Sequence, residues 1–300
     1  MGGEVTIWYN VFHEPPLGLP IAIYFYMTGL SAGSFILSTM AYGFGMASYK
    51  PIAKPGIILA ILLLALGPVM LIIDLGQPLR FWHLFPYLNL ASPITWGTFL
   101  LMAYPLNGVI YAWFMFSGNL KLTRLFGMVG IPLAISVHGY TGFILALGKA
   151  RALWNTALMP MYFLVSAMVS GIALMILVVL IQGRLSPERK VNRELAYSLG
   201  KMLAFTILVD LFLVISDVLV LLTADVEARE AAQLILYGSF RPYFVWVELV
   251  LGSFLPLGIL FFPPTGRRLS TVVLAAVLAM IGVFAMRYVM VIGGQAVPLS

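Results

Sequence analysis

The sequence predicts an all-α, polytopic membrane protein with eight transmembrane helices arranged in two four-helix bundles. Of its 300 residues, 62% are hydrophobic and only 9% are charged, whereas a soluble domain typically carries about 25% charged residues. The mean hydropathy is +1.02. The apolar residues also come in runs close to the roughly 20 residues that a helix needs to cross the hydrocarbon core. A soluble globular domain is therefore excluded, and the net charge of +6 is attributed to membrane loops rather than to nucleic-acid binding.

Eight apolar runs define the expected helices in sequence order, and joints rich in proline, glycine or charge separate them. These joints read YKPIAKPG, SGNLK, GKARALWN, GRLSPERKVNRE, ADVEAREAAQ and PPTGRR. A division near Trp154 would give one bundle over residues 1–154 and a second over residues 155–300. No long internal repeat is legible. The spans are expected at residues 18–47, 56–75, 96–117, 124–148, 157–183, 195–223, 242–262 and 270–292.

The distribution of basic residues between the loops predicts the orientation. An even number of spans places both termini on one side of the membrane, and short loops rich in lysine and arginine stay in the cytoplasm. The side of the termini carries fewer basic residues than the opposite side, so both termini are expected on the non-cytoplasmic side of the plasma membrane. The basic residues on the side of the termini are Arg80, Lys149, Arg151, Arg229 and Arg241, and those on the opposite side are Lys50, Lys54, Lys121, Arg124, Arg184, Arg189, Lys190, Arg193, Arg267 and Arg268.

The composition limits the cofactors that this protein could hold by itself. It has no cysteine, so it cannot supply the thiolates of an iron–sulfur cluster or form a disulfide. Its histidines are His13, His83 and His138, and only His138 falls within an expected span. A haem held by two histidines within the membrane is therefore excluded, and we expect no haem, no iron–sulfur cluster and no metal site in this chain.

Ionisable residues in the spans are costly, at about 2.5–3.5 kcal/mol each near the bilayer centre, and tend to mark sites or pathways. In one interpretation, Arg287 forms a buried ion pair with Glu248 or Asp217 that fixes the helix register. In the other, Asp210, Asp217, Glu248 and Arg287 form a proton path. The side chain of Lys201 is expected to extend to the lipid headgroups. The full set is Asp74, His138, Lys201, Asp210, Asp217, Glu248 and Arg287, and all but Lys201 and Asp210 lie toward the non-cytoplasmic side.

The run ISVHGYTGFIL indicates a site for a quinone. It places His138 and Thr141 on one helix face, while Tyr140 points away from His138. Tyrosine and histidine can hydrogen-bond a quinone headgroup, and a quinol that loses two electrons also loses two protons. Asp74 and His138 are therefore candidate proton acceptors at a site in the non-cytoplasmic half. Asp74 could instead cap the loop that follows it, and His138 could be a satisfied core residue.

Two alternatives to a quinone-reacting subunit stay open. A transporter or ion-translocating subunit would use Asp210, Asp217 and Lys201 as a water-lined path. A purely structural anchor would have no cavity beside Tyr24, Asp74, His138 and Tyr140. If the protein does exchange electrons with a quinone, the other redox group must belong to a partner, because no residue here can hold a cluster.

Four stretches resemble the NrfD/PsrC family, the membrane subunits of polysulfide-reductase-type and related molybdopterin or iron–sulfur oxidoreductases. They are GLPIAIYFYMTGLSAGSF, DLGQPLRFWHLF with SPITWG, HGYTGFILALGKARALWN and MRYVMVIGGQ, and they extend from Gly18 to Gln295. The resemblance implies two four-helix bundles, with a pocket for menaquinone or another quinone in the first bundle near the non-cytoplasmic surface. It also implies a four-cluster iron–sulfur subunit docked on that side and a molybdopterin catalytic subunit beyond it.

The resemblance assigns roles to particular residues. Tyr140 matches a tyrosine that looks like a quinone ligand, and Tyr24 stands where such members have a histidine. Ile21 stands where they have an asparagine and cannot replace its hydrogen bond. With Asp74, His138 and Thr141, these tyrosines form the expected quinone site. The segment DLGQPLRFWHLF would turn the chain at the outer surface, where the cluster subunit is expected to dock on Arg80, Trp82 and His83.

Overall fold

The computed structural model describes residues 17–185 and 191–296, and within these ranges the chain is helical with no strand. Eight helical spans are long and apolar enough to cross a membrane, which confirms the predicted fold class of a multi-pass membrane protein. The spans are Leu19–Tyr42, Ala47–Asp74, Pro93–Phe116, Leu120–Ala146, Met159–Leu185, Arg193–Thr223, Pro242–Phe261 and Leu269–Ala296.

The first six spans are built on α-helices α1 to α6, whose bounds differ from the predicted ones by a few residues. Helix α1 ends at Tyr42 because glycines follow it, and Gly45 has a φ of 73°. A 3₁₀ turn, Ala47–Tyr49, precedes α2, whose first turn contains Pro51, a residue that the start of a helix tolerates. The helices are α1 Leu19–Tyr42, α2 Lys50–Asp74, α3 Pro93–Phe116, α4 Leu120–Ala146, α5 Met159–Leu185 and α6 Arg193–Thr223.

A short helix, α7 (Val226–Leu236), occupies most of the joint ADVEAREAAQ between the sixth and seventh spans. The side chain of Asp225 accepts a hydrogen bond from the backbone N–H of Ala228 at 3.1 Å and so caps the first turn. Ala231 and Ile235 are buried on one face. The joint separates two spans as expected, and its alanine, glutamate and arginine residues are good helix formers.

The last two spans contain long π-helical stretches. The seventh begins with a π-helix, Pro242–Phe254, and continues as α8, Leu255–Phe261. The turn α9 (Pro263–Gly266) leads to α10 (Leu269–Tyr288), which is followed by a second π-helix, Val289–Gly293, and by α11, Gly294–Ala296. Since π-helices are rare and occur frequently at functional sites, the two stretches direct attention to the second half of the chain.

The two ends of the described chain meet at one face of the helix assembly. The Gln295 side chain accepts a hydrogen bond from the N–H of Leu17 at 3.0 Å and donates one to the Leu17 carbonyl at 2.9 Å. We call this end of the assembly, where α1 begins and α2 and α4 end, the terminal face. Its assignment to the non-cytoplasmic side stays a prediction, and Arg189 and Lys190, which contributed to it, lie outside the described residues.

Helices α1 and α5 cross at the centre of the molecule. A Cβ atom added to Gly33 would lie 2.7 Å from the Cα of Gly171, so only glycine allows this approach. Helix α1 also packs against α2 and α4, and α5 packs against α4, α6 and α10. The division into two bundles at Trp154 stays a prediction, with α1 and α5 forming the junction between the halves.

A short repeat surrounds this crossing and was missed in the sequence. Residues 24–33 and 162–171 share the pattern Tyr-Phe-x-x-(Thr/Ser)-(Gly/Ala)-x-x-x-Gly. Thr28 donates to the Tyr24 carbonyl at 3.0 Å, and Ser166 donates to the Tyr162 carbonyl at 2.8 Å. The rings of the paired phenylalanines meet edge to face at 5.5 Å across the crossing. Tyr24 and Tyr162 therefore occupy equivalent positions in the two halves.

Candidate functional site

Tyr24 and Tyr140 lie together inside the first half of the chain. Tyr24 packs against Gly67 of α2, where an added Cβ would lie 3.4 Å from its ring, and a Cβ on Gly97 of α3 would overlap the ring of Tyr140. The two phenol groups are close enough to interact electrostatically. With a rise of about 1.5 Å per residue, Tyr24 and Tyr140 each lie roughly 8–9 Å below the terminal-face end of their helix.

Neither tyrosine hydroxyl has a hydrogen-bond partner in the part of the chain that the structure describes. A tyrosine O–H group in a membrane span usually donates to some acceptor, so these two hydroxyls are available to a bound ligand. Tyr104 and Tyr111 illustrate the usual case in the same half. The hydroxyl of Tyr104 donates to the Ser31 carbonyl at 3.4 Å, and that of Tyr111 lies 3.3 Å from the Ser38 hydroxyl.

Asp74 lies at the end of α2 and binds the start of α1. Its carboxylate oxygens accept the backbone N–H of Gly18 at 3.1 and 3.2 Å. Gly18 is the residue that precedes α1, so the carboxylate also lies at the positive end of the helix dipole. Asp74 thus caps the start of α1, above Tyr24. The sequence suggested a different role, in which Asp74 caps the loop that follows α2.

Substituting Asp74 separates its capping role from a role in accepting protons. We expect Asp74→Ala to lower the stability of the assembled protein by about 1–2 kcal/mol, because the backbone N–H of Gly18 at the start of α1 loses its acceptor. Asp74→Asn keeps a carbonyl oxygen and should lose less. Thermal unfolding of the purified protein measures both effects, with Glu230→Gln as the control. Unchanged quinol oxidation in Asp74→Asn would contradict a proton-acceptor role, whatever its stability.

His138 faces the junction between the halves rather than Tyr140. Its Nε2 lies 3.1 Å from Nη2 of Arg287 in α10, and its ring lies against Gly29 of α1. Since a guanidinium group can only donate, Nε2 must accept, and the ring proton is therefore on Nδ1. Nδ1 itself is buried without a partner. The hydroxyl of Thr141 donates to the His138 carbonyl at 2.6 Å within the same helix.

Arg287 is completely buried and connects the two halves. Its Nη2 also donates to the Phe163 carbonyl at 2.9 Å and to Ser166 Oγ at 2.8 Å, and its guanidinium carbon lies 3.8 Å from the centre of the Phe163 ring. The ion pair expected between Arg287 and Glu248 or Asp217 is not formed: Nε and Nη1 have no partner. The acceptors on α4 and α5 hold the guanidinium instead.

Three buried carboxyl groups lie in the second half, and two of them, Asp210 and Glu248, interact electrostatically with Arg287. Glu248, in the π-helix Pro242–Phe254, accepts a hydrogen bond from the hydroxyl of Tyr162. Asp210 and Asp217 of α6 interact electrostatically with Glu248. Each of the three has one buried oxygen with no hydrogen-bond partner. They are at most 8% exposed, so all of this polarity lies inside the protein.

A cavity of about 270 Å³ opens from the terminal face toward this group of carboxyls. The loop between α4 and α5, the end of α6 and the start of α7 form its walls, and Asp217 is part of its lining. The other charged residues that line it are Lys149, Arg151, Asp225 and Glu227. Within the described ranges, no group of three or more histidine, aspartate or glutamate side chains is arranged to hold a metal ion.

Comparison with known proteins identifies the family. A family model described as polysulphide reductase, NrfD, matches residues 10–298. The chain belongs to the NrfD family. It is 32% identical to a subunit of the selenate reductase of Mesobacillus selenatarsenatis, over 94% of this chain and 74% of that protein. It is 28% identical to one of the polypeptides of the polysulfide reductase of Wolinella succinogenes, over 92% of this chain and 93% of that protein.

The name of a third relative refers to menaquinol. The Hdr-like menaquinol oxidoreductase integral membrane subunit of Archaeoglobus fulgidus is 28% identical, over 94% of this chain and 72% of that protein. The family resemblance stated from the sequence is therefore confirmed. This NrfD-family chain is a membrane protein similar to membrane subunits of reductases.

The segment after α2 exposes large apolar residues at the terminal face of this NrfD-family chain. It contains a 3₁₀ helix, Pro78–Leu84, none of whose residues is buried. Leu79 is 88% exposed and Tyr87 is 77% exposed. Arg80, Trp82 and His83, the predicted docking residues, lie in this segment, and the Trp82 and His83 rings meet edge to face at 4.2 Å. Apolar side chains at the end of a membrane span can face lipid as well as protein, so the docking role of this segment stays a prediction.

The predicted site residues thus fall into two groups. Tyr24 and Tyr140 come together beneath Asp74, whereas His138 joins Arg287 and the carboxyls of the second half. One residue of each group was missed in the sequence: Gly97, which contacts Tyr140, and Tyr162, which contacts Glu248. The repeat around Gly33 and Gly171 would have revealed Tyr162, because it stands in the position of Tyr24.

Proposed function

We propose that this protein is the quinone-reacting membrane subunit of a respiratory oxidoreductase. In this proposal, menaquinone or another quinone binds between Tyr24 and Tyr140, and electrons pass between it and an extrinsic iron–sulfur subunit. That subunit docks on the terminal face, with a molybdopterin catalytic subunit beyond it. The terminal face lies on the non-cytoplasmic side of the plasma membrane, in keeping with the distribution of basic residues.

The observation that carries the proposal is the pair of tyrosine hydroxyls without protein partners. They lie at similar depth on facing helices, in a family with a relative named for menaquinol. Two O–H donors near each other inside a membrane match the needs of a headgroup with carbonyl oxygens. The donor set therefore fits a quinone.

The protein's own residues would orient the headgroup and manage protons. A bound quinol supplies two electrons and two protons. Tyr24 and Tyr140 would donate hydrogen bonds to its oxygens, and Asp74 would lie above them at the membrane surface. The spans of α2 and α3 are the least buried of the eight, with 28% of the most apolar stretch of each inside the protein. An isoprenoid tail would therefore reach the tyrosines from the lipid, by passing between α2 and α3.

Two features favour an iron–sulfur partner: the absence of cysteine and an exposed apolar segment after α2. The protein has no cysteine, so it cannot hold the cluster that would accept single electrons. The exposed segment around Pro78–Leu84 provides an apolar surface next to the end of α2, close to the proposed quinone. The selenate reductase and polysulfide reductase relatives are by name parts of larger reductases, which favours a docked partner.

Conservative substitution of the two tyrosines tests the proposal. Tyr24→Phe and Tyr140→Phe each remove one O–H group and no other atom. In the intact complex with its partner subunits, we expect each to reduce quinol oxidation about ten-fold, since one hydrogen bond near 1.4 kcal/mol is lost, and the double variant to reduce it further. The rate with a soluble menaquinol analogue is the readout.

The matched control is Tyr111→Phe, which removes a hydroxyl from a fully buried tyrosine in the same half at the opposite end of α3. It should leave the rate unchanged. Loss of activity in Tyr111→Phe as well would indicate a general packing defect. Full activity in the double variant, with the complex assembled, would favour the purely structural anchor.

A further inference from the structure

The second half of the protein has a set of buried polar atoms that no hydrogen bond within the described residues satisfies. They are Oδ1 of Asp210, Oδ1 of Asp217, Oε2 of Glu248, Nε and Nη1 of Arg287, and, at the junction with the first half, Nδ1 of His138. Buried polar groups in proteins are nearly always paired with protein or with ordered water. Ordered water is the usual partner of such atoms, and a chain of water and carboxyl groups can carry protons. The cavity on the terminal face reaches this region at Asp217.

We propose that Glu248 and Asp217 form a proton-exchange site that opens through this cavity to the aqueous phase at the terminal face. Glu248 holds a proton on Oε2, the oxygen that Tyr162 does not bind. Asp217 lies between it and the cavity and passes the proton on. The proposal rests on the proposed quinone function, because that reaction supplies the protons; it adds a second exit beside Asp74.

The transfer is balanced as a simple proton relay. The O–H bond at Glu248 breaks, an O–H bond forms at a carboxylate oxygen of Asp217, and Asp217 then protonates water in the cavity. Glu248 is left as a carboxylate, and it is protonated again by a proton that the proposed quinol oxidation releases. No electron moves in these steps, and no further reactant is needed. Tyr162 keeps its hydrogen bond to Oε1 throughout and so fixes the Glu248 side chain.

The repeat provides an independent argument for a second site. Tyr162 occupies the position in the second half that Tyr24 occupies in the first. In the first half the tyrosine hydroxyl has no protein partner among the described residues, and a quinone is the proposed one. In the second half the equivalent hydroxyl binds Glu248, which lies on a π-helix. In this proposal, the equivalent tyrosine hydroxyls have different partners: an uncharged quinone in the first half and the protonatable Glu248 side chain in the second.

The charged groups around the relay come from every neighbouring element. Arg287 of α10 and Asp210 of α6 both interact electrostatically with Glu248. Asp217 faces a cavity that Lys149 and Arg151 line from the loop after α4, and Asp225 and Glu227 line it from the side of α7. Nη2 of Arg287 also lies 3.1 Å from Nε2 of His138. Arg287 therefore connects this charged region to α4, the helix that carries Tyr140.

Infrared difference spectroscopy on the intact complex in liposomes tests the relay without requiring quinone turnover. We expect a carboxylic-acid C=O band that shifts when H₂O is replaced by D₂O on the terminal face. Glu248→Gln should remove this band, and Asp217→Asn should slow its H/D shift at least ten-fold. Tyr162→Phe should keep the band and change its frequency, because one hydrogen bond to the carboxyl is lost.

The exposed Glu230 of α7 offers a control, and Glu230→Gln should leave the band and its exchange unchanged. The proposal is overturned if the band is absent from the unmodified complex, if Glu248→Gln retains it, or if Asp217→Asn exchanges at the normal rate. If Glu248→Gln does not assemble, Asp217→Asn and Tyr162→Phe decide. Since the readout is independent of quinol oxidation, a negative result removes the relay and leaves the quinone function to its own test.

Discussion

Gly97→Ala is expected to reduce quinol oxidation by about ten- to a hundred-fold while the complex still assembles. The reason is steric: a Cβ atom at this position would overlap the ring of Tyr140, so the ring must leave the place in which it faces Tyr24. Displacement of one hydrogen-bonding group and partial filling of its space would cost roughly 1.4–2.8 kcal/mol of transition-state stabilisation. The rate of quinol oxidation per assembled complex is the measurement.

Gly108→Ala is the matched control for this substitution. Gly108 lies in the same helix, and an added Cβ would meet only Ile61 and Ile57 at ordinary contact distances of 3.6 and 3.9 Å. Both variants gain the same helix propensity, so a difference between them reports on the Tyr140 ring. Equal activity of the two variants would contradict the placement of Tyr140 in the functional site.

Arg287→Met is expected to lower the stability of the protein by about 3–5 kcal/mol, the range found when one partner of a buried charged network is removed. Methionine fills much of the volume but leaves His138 Nε2 without its donor and Asp210 and Glu248 without a nearby cation. The yield of folded protein and its thermal unfolding in detergent measure the effect. Arg287→Lys should recover part of the loss, because a lysine restores the charge but not the packing on Phe163.

Arg267→Met is the control, since Arg267 follows the short helix α9 on the face opposite the terminal face. It should unfold at the same temperature as the unmodified protein. If Arg287→Met is equally stable, the guanidinium is not a structural connection between the halves, and its contacts with Phe163 and Ser166 would be incidental.

The sequence predicts the spans well because their physical cause is local. Twenty or so apolar residues between joints rich in proline, glycine or charge are sufficient to define a membrane helix, and all eight are present. Tyr24 and Tyr140 were assigned by resemblance. Their proximity could not be read from the sequence, because it depends on how α1 packs against α2 at Gly67 and how α4 packs against α3 at Gly97.

The second half was less predictable for a different reason. The expected partner of Arg287 was a carboxylate, since opposite charges in a membrane tend to pair. The structure instead provides a carbonyl on α5, the hydroxyl of Ser166 and an imidazole nitrogen of His138. Likewise, the orientation of Glu248 depends on a π-helix, whose i→i+5 bonds leave no clear signal in an apolar segment.

The central claim is that a quinone binds between Tyr24 and Tyr140, and photoaffinity labelling tests it most directly. The intact complex would be illuminated with an azido-menaquinone, and the labelled peptides would be identified by mass spectrometry. We predict label on α1 near Tyr24 and on α4 near Tyr140, reduced by competing menaquinone and by the double Tyr24→Phe and Tyr140→Phe substitution. Label confined to the second half, or no label that menaquinone displaces, would contradict the claim.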